Sequence, residues 1–357
     1  MENAIFHFPL EGKPVSCEKY GFGHINYTFL VVTDQGKRYI LQGINGNVFP
    51  NVRGMMENIA AVTGFVGQRE ADPRGTLHIV PAEDGDIMYT DEKGQSWRVY
   101  DFVEDSICLQ AAETPEDFYQ SAVAFGRFQD MLTRFPADTL YETIPNFHNT
   151  PERYKTFHRV LEADVCGRAA SVREEVDFVL SREQAGGELQ RMRDSGQLPL
   201  RVTHNDTKLN NVMLDAKTRK ALCVIDLDTV MPGLAAYDFG DSIRFGAATA
   251  AEDEKDLDKM SMDLELYRTF ARGFIRSCPS LTEKERETLP LGAMTMTLEC
   301  GLRFLTDYLD GDHYFAIHRP EHNLDRARTQ FKLVRDMEAK WEDMCRIIRE
   351  ETALLKG

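Results

Sequence analysis

Three side chains define the chemistry this chain is equipped for: Asp206, Asn211 and Asp226. The first two stand in the run Val-Thr-His-Asn-Asp-Thr-Lys-Leu-Asn-Asn at 202–211, and the third follows the strand-like Cys223-Val224-Ile225. A carboxylate, an amide five residues later and a second carboxylate after a short excursion suit phosphoryl transfer. In that reaction a loose, anionic transition state leaves the protein mainly to position two partners and neutralise charge. Asp206, in a loop between two short strands, is placed to take the proton of an acceptor hydroxyl. Magnesium prefers hard oxygen ligands and keeps some of its waters, so Asn211, Asp226 and nucleotide phosphates would complete its shell. Lys208 adds a cation two residues beyond the base, within reach of the transferring phosphate. His204 reads as a group that holds the loop by packing and hydrogen bonds.

The intervening sequence predicts how these groups meet. Val212-Met213-Leu214, the turn-prone Asp215-Ala216-Lys217-Thr218 and Ala221–Ile225 form a hairpin pattern that returns Asp226 to Asn211. Asp238-Phe239-Gly240 spells the signature that carries a metal-binding Asp in protein kinases. It lies beyond the turn-rich Met231-Pro232-Gly233 and opens a helix-like stretch, so Asp226 takes the metal and Asp238 becomes a cap or loop anchor. Asp228 is open between a further metal ligand, a support for the ligands and a solvent-facing strand end; it is counted among the metal candidates.

The runs His204–Asn211, Val224–Gly233 and Asp238–Gly246 resemble the aminoglycoside phosphotransferase and choline kinase superfamily. Within it, the wording around Asn205, Thr207 and Asp228 is similar to that of N-acetylhexosamine 1-kinases. The resemblance extends from about Tyr20 to the C-terminal helix. It implies an α+β, two-lobed protein-kinase-like fold, with a small β-rich N-lobe at 1–104 that includes the hinge strand and a larger, mainly helical C-lobe at 105–357. It also implies ATP as co-substrate, Mg2+ as cofactor, and transfer to the anomeric (C1) hydroxyl of N-acetylglucosamine or N-acetylgalactosamine.

Composition fits this reading. A chain of 357 residues is long for one core and suits two domains. Its formal charge of −16 disfavours nucleic acid or an anionic membrane as main partner, while a neutral amino sugar does not conflict with it. No obligate protein partner is expected. The seven cysteines include no Cys-x-x-Cys pair, and the N-terminal residues lack a basic start followed by a long apolar run. A cytoplasmic protein with reduced thiols is the expectation.

The first hundred residues read as β-rich. Tyr27–Thr33 and Lys37–Gln42 flank Asp34-Gln35-Gly36 as a hairpin, residues 51–67 form a helix, and His78–Pro81 and Trp97–Val103 add strands. Gly21 and Gly23 precede the first strand, where backbone N–H groups could approach phosphate. If Trp97–Val103 is the hinge strand, adenine pairs with the backbone at Phe102, Val103 and Glu104. The lysine that clamps phosphates in such proteins is absent: its slot holds Gln42, with Arg38 on the same strand face as the candidate substitute. The role of a helix glutamate such as Glu57 is open for the same reason.

Beyond the hinge the pattern is helical. Thr114 caps Pro115–Leu132, residues 151–194 are interrupted at Gly186-Gly187, and apolar residues from Leu324 to Ile348 mark one long final helix. Glu252–Asp256 reads as a solvated helix start. Phe245, Arg303, Tyr314 and His24 are the candidates for the acceptor pocket: an aromatic face for a sugar, and donors for hydroxyl or acetamido groups. Two alternatives stay open. The same fold could act on choline, homoserine or an aminoglycoside, or, given Gln42, bind nucleotide without turnover as a pseudokinase.

Overall fold

Alternating apolar side chains along the early strands build one antiparallel sheet in the computed structural model, which describes residues 3–21 and 25–355. In chain order come β1 (Pro14–Lys19), β2 (Tyr27–Thr33), β3 (Arg38–Gly43), α1 (Val52–Gly67), β4 (Ile79–Val80), β5 (Tyr89–Thr90), β6 (Ser96–Asp101) and β7 (Ser106–Cys108). Next are α2 (Pro115–Met131), α3 (Thr150–Ala163), α4 (Arg173–Leu180), α5 (Glu183–Gly186), α6 (Glu188–Asp194), β8 (Arg201–Thr203), β9 (Val212–Asp215) and β10 (Ala221–Val224). The remainder is β11 (Met231–Gly233), α7 (Ala235–Gly246), α8 (Leu264–Ser277), α9 (Glu283–Asp310), α10 (His322–Ala339) and α11 (Trp341–Ala353).

By internal packing the chain falls into two compact units. One comprises 1–108, 134–145 and 211–232; the other comprises 109–133, 146–210 and 233–357. The hairpin that carries Asn211 and Asp226 therefore packs with the N-terminal sheet, whereas one boundary at 104/105 assigns it to the C-lobe.

In the first unit the strand order is β1-β2-β3-β6-β4, with β5 on β6, and β3 pairs β6 so that Gln42 faces Arg98. Val31, Leu41 and Val99 fill one sheet face beneath Ile5, Phe8 and Trp97. A second sheet, β10-β9-β7, holds the hairpin between Asn211 and Asp226. Asn58, buried on α1, ties its outlying segments together: its amide donates to the carbonyls of Tyr141 (2.8 Å) and Val230 (3.0 Å), and its oxygen accepts from Tyr141 N (2.9 Å).

The second unit is helical. Thr114 and Asp117 form a reciprocal cap at the start of α2. Helices α7 and α9 cross in backbone contact: a Cβ at Gly240 would stand 2.3 Å from the Gly292 carbonyl oxygen, and one at Gly292 would stand 2.2 Å from that of Ala236. Glycine is required at both positions, because only a missing side chain allows this approach. Phe239 enters a ring cluster with Tyr267, Phe270 and Phe274.

Two expectations are corrected. The final helix is two, broken at Lys340, whose ammonium donates to Met262 O (2.8 Å) and Asp336 Oδ2 (2.7 Å). Residues 252–256 start no α-helix; they form an ion-paired loop in which Glu252 accepts from Arg244 (2.7 Å) and Asp253 pairs with His322 (3.1 Å), and Asp256 caps only a 3-10 turn at Leu257–Lys259. Residues 151–194 form four helices, with the expected interruption at Gly186-Gly187.

Candidate active site

The loop carrying Asp206 follows the buried β8 and is fixed by α7. Asp238 Oδ2 accepts from His204 N (3.0 Å) and Gln129 Nε2 (2.7 Å), and its Oδ1 accepts from Asn205 N (2.8 Å). Thr207 Oγ1 donates to Asp238 O (2.6 Å), Thr207 N to Asp241 Oδ2 (3.0 Å), and Ser242 Oγ to Thr207 O (2.8 Å). Asn205 sits at φ 66°, a left-handed conformation that Asn and Asp adopt at lower cost than other non-glycine residues. His204 is buried edge-on against Phe125 (5.4 Å) and Phe128 (6.2 Å), which makes it a packing residue. Asp238 is thus the loop anchor, within α7 rather than at its cap.

Charge in this unit is concentrated around Asp206. Lys208 Nζ lies 2.7 Å from Asp206 Oδ1. Burial disfavours the Lys208 ammonium, but Asp206 and Asp241 outweigh it and raise its pKa, so the side chain stays charged. Burial pushes the Asp238 carboxyl up against the opposing peptide N–H bonds. For Asp241 burial acts in the same sense, yet Arg244 and Lys208 prevail and lower it; Arg244 donates to Asp241 Oδ1 through Nε (3.1 Å) and Nη2 (2.9 Å). Asp241 and Arg244 had no local signal in the sequence beyond their position on the α7 pattern.

Asp238→Asn is expected to destabilise the protein by about 1–3 kcal/mol, because an amide presents one acceptor and turns its N–H2 toward a backbone N–H. Thermal unfolding and nucleotide binding are the measurements. A lowered melting temperature and lowered kcat with unchanged nucleotide affinity are expected, and loss of nucleotide binding first would contradict the anchor role.

In the first unit, Ile225 N donates to Asn211 O (2.9 Å), so the end of β10 lies against the start of β9 and Asp226 follows directly. The turn between these strands is made by Asp215, whose Oδ1 accepts from Lys217 N (3.1 Å) and Thr218 N (2.8 Å). Asp226 is left-handed at φ 59°. One amide and one carboxylate suit a hard cation that draws its other ligands from phosphate and water. Among the described residues no cluster of three or more His, Cys, Asp or Glu forms a metal cage.

Asp228 differs from these two candidates. It is buried, its Oδ1 accepts from Arg98 Nη1 (2.5 Å) and its Oδ2 accepts from Asn26 Nδ2 (2.6 Å). Both oxygens therefore serve protein donors. Gln42 joins the same network through Thr28 Oγ1 (3.0 Å) and Arg98 Nε (2.9 Å). Arg38 does not substitute for the missing lysine here: its guanidinium pairs with Glu104 and lies 4.1 Å from the Phe102 ring centroid. Four residues separate it from Gln42, about 13 Å along an extended strand. At the hinge, Phe102 N donates to Arg38 O (3.2 Å) and Val103 O accepts from Ser106 Oγ (2.6 Å). Gly21 is exposed with φ +78°, while Gly23 and His24 lie outside the described residues. Glu57 pairs with Arg53 (3.0 Å) on the exposed side of α1.

Three of the four acceptor candidates, Phe245, Arg303 and Tyr314, lie in the second unit with Asp206. Arg303 Nη2 is 3.3 Å from Tyr314 OH, and its guanidinium is 5.4 Å from the rings of Phe147 and Phe315 and 5.6 Å from that of Tyr314. Among the described residues no carboxylate oxygen lies within 4.0 Å of it. The segment bearing Tyr314 hangs on Asp307, which accepts the backbone N–H of His313 (2.9 Å), Tyr314 (2.8 Å) and Phe315 (2.9 Å). Phe147 stacks beside His148 (4.5 Å), and His148 bridges Glu299 Oε1 (2.9 Å) and the carbonyl of Asn205 (3.3 Å). The Arg303 aromatic cluster is thereby connected to the loop of Asp206. Phe245 is exposed on α7, one turn beyond Asp241. Sequence reading missed Phe147, His148 and Glu299, whose relation to the loop exists only in three dimensions.

Solved structures with this architecture include a microcompartment-associated aminopropanol kinase, at 15% identity, TM-score 0.60 and 96% coverage of both chains. An amicoumacin kinase in complex with AMP-PNP, Ca2+ and Ami is similar at 12% identity and TM-score 0.60, over 92% of this chain and 90% of that one. A choline kinase from Cryptosporidium parvum Iowa II is similar at 14% identity and TM-score 0.55, over 92% and 90%. These likenesses define an α+β, protein-kinase-like fold. The chain belongs to the phosphotransferase enzyme family (APH), whose model matches residues 16–269, more than half of its length. It is a small-molecule kinase of that family. No helix among the described residues is long and apolar enough to cross a membrane.

Proposed function

We propose that this phosphotransferase is a cytoplasmic enzyme that uses ATP and Mg2+ to phosphorylate the anomeric hydroxyl of an N-acetylhexosamine. The observation that carries the acceptor class is Arg303, a guanidinium among aromatic rings with no carboxylate within 4.0 Å among the described residues. Such a cation repels choline and polyamino acceptors, whereas an acetamido carbonyl accepts its hydrogen bond. The exposed rings of Phe245 and Tyr314 suit the apolar face of a pyranose. His24 is proposed as a further sugar contact. Homoserine is the second reading that the same guanidinium favours, because its carboxylate would pair there.

Asp206 orients the acceptor hydroxyl and takes its proton, and Lys208 keeps positive charge beside it. Asn211 and Asp226 would hold the magnesium ion, which neutralises charge developing on the phosphates when bound. The glycine turn at Gly21 and Gly23 faces the phosphates in this proposal. Adenine pairs with the backbone at Phe102–Glu104, where Arg38 braces the Phe102 ring.

ADP release measured across N-acetylglucosamine, N-acetylgalactosamine, glucose, choline, homoserine and kanamycin tests the acceptor, with product analysis locating the phosphate. Turnover of choline or kanamycin alone would sink the sugar assignment. Arg303→Ala is expected to raise the sugar KM roughly 10- to 100-fold, the equivalent of about 1.5–3 kcal/mol for a hydrogen bond to a charged group. Basal ATP hydrolysis should change less than about 2-fold on that measure. Equal losses in both would place Arg303 in folding or nucleotide binding instead.

A further inference from the structure

Arg98 stands on β6 between Trp97 and Val99, and is 1% exposed. A charge in so apolar a strand needs a reason. Stability alone is a weak one, since the desolvation cost of a buried ion pair often matches its attraction. The network gives a better one. From this guanidinium, Nη1 reaches Asp228 Oδ1 (2.5 Å) and Nε reaches Gln42 Oε1 (2.9 Å). Asp228 stands two residues after Asp226 and accepts from Asn26 (2.6 Å), whose Oδ1 in turn accepts from Asn45 N (3.0 Å). Asn26 directly precedes β2, five residues after Gly21 in sequence. Gln42 occupies the slot where the phosphate-clamping lysine was expected, and Arg98 is its partner across the β3–β6 ladder.

We propose that Arg98 is a positioning residue of the nucleotide site: it supplies from β6 the positive charge that Gln42 cannot, and holds the Asp226–Asp228 segment and the approach to β2 through Asp228. Burial works against its charge, but Asp228, Tyr100 and Asp226 outweigh burial and raise its pKa, so the cation persists at every physiological pH. The fully buried guanidinium acts through Asp228 and Gln42, not by touching phosphate. The proposal rests on the phosphotransferase reading of the site and is independent of the acceptor.

The test is equilibrium binding of AMP-PNP by calorimetry, with and without Mg2+, alongside KM values for ATP and acceptor. Arg98→Gln removes the charge but can keep hydrogen bonds to Asp228 and Gln42. It is expected to weaken Mg2+·AMP-PNP binding about 10-fold and to change the acceptor KM less than about 2-fold, a split that general loosening would not give. Adding Gln42→Lys to Arg98→Gln, which moves the cation across the ladder, should recover most of the affinity. Unchanged affinity in folded Arg98→Gln, or no recovery in the double variant, would overturn the proposal. Arg98→Lys keeps a cation in the same space and should stay within about 3-fold of wild type. A 10-fold loss in that folded variant would show that guanidinium shape, not charge, is what matters. Failure of the wild-type protein to bind Mg2+·AMP-PNP would instead remove the phosphotransferase reading itself.

Discussion

Asp206→Asn should lower kcat by roughly 100- to 10,000-fold, the range for loss of a general base, which corresponds to about 3–5.5 kcal/mol of barrier. The substitution is nearly isosteric, and the loop is held through the backbone N–H groups of His204, Asn205 and Thr207, which bond to Asp238 and Asp241. Fold and nucleotide affinity should therefore survive. Steady-state ADP release with saturating substrates checks the first expectation, and AMP-PNP binding the second. Full turnover in the variant would remove Asp206 from the base role.

Asp226→Asn should reduce activity at least about 100-fold and move the Mg2+ requirement to higher concentration, because an amide oxygen replaces the one full negative charge assigned to the cation. Backbone conformation makes the comparison informative. At φ 59° an Asn is tolerated nearly as well as Asp, whereas Ala adds about 1–2 kcal/mol of left-handed strain. Thermal unfolding should then separate the two variants, with Asp226→Ala destabilised and Asp226→Asn near wild type, although both lose Mg2+-dependent turnover. Metal titration of activity at fixed ATP is the measurement. An unaltered Mg2+ dependence in Asp226→Asn would assign the cation elsewhere.

Features governed by local sequence were legible. The hairpin from Val212 to Val224 follows from apolar strands around an Asp that satisfies its own turn, and Thr114 announces α2 as its N-cap, to which the structure adds a reciprocal bond with Asp117. The strands at Tyr27–Thr33 and Arg38–Gly43 emerge within a residue of their patterns. Connectivity separates Asp226 from the look-alike Asp238, and Asp238 accepts the backbone N–H groups of His204 and Asn205. What escaped depends on distant partners. The helix breaks at Lys340 where its ammonium meets the Met262 carbonyl, 78 residues away in sequence. Arg98 meets Asp228 across 130 residues. Strand periodicity put Arg38 on the face of Gln42 but carried no information about its partners, and Glu104 and Phe102 hold it at the hinge end.

The attachment of the catalytic loop to α7 bears on how such an enzyme changes its diet. Asp238, Asp241 and Ser242 grip the loop from one helix, and the same helix presents Phe245. The proposed base and the proposed aromatic wall are thus one mechanical piece, so on that proposal a change on α7 that reshapes the pocket also disturbs proton transfer. The Tyr314 segment is suspended separately, by Asp307 and Asn323. Divergence toward new acceptors has its open route there, in residues 312–318, where a lineage can exchange side chains while the reaction centre stays intact.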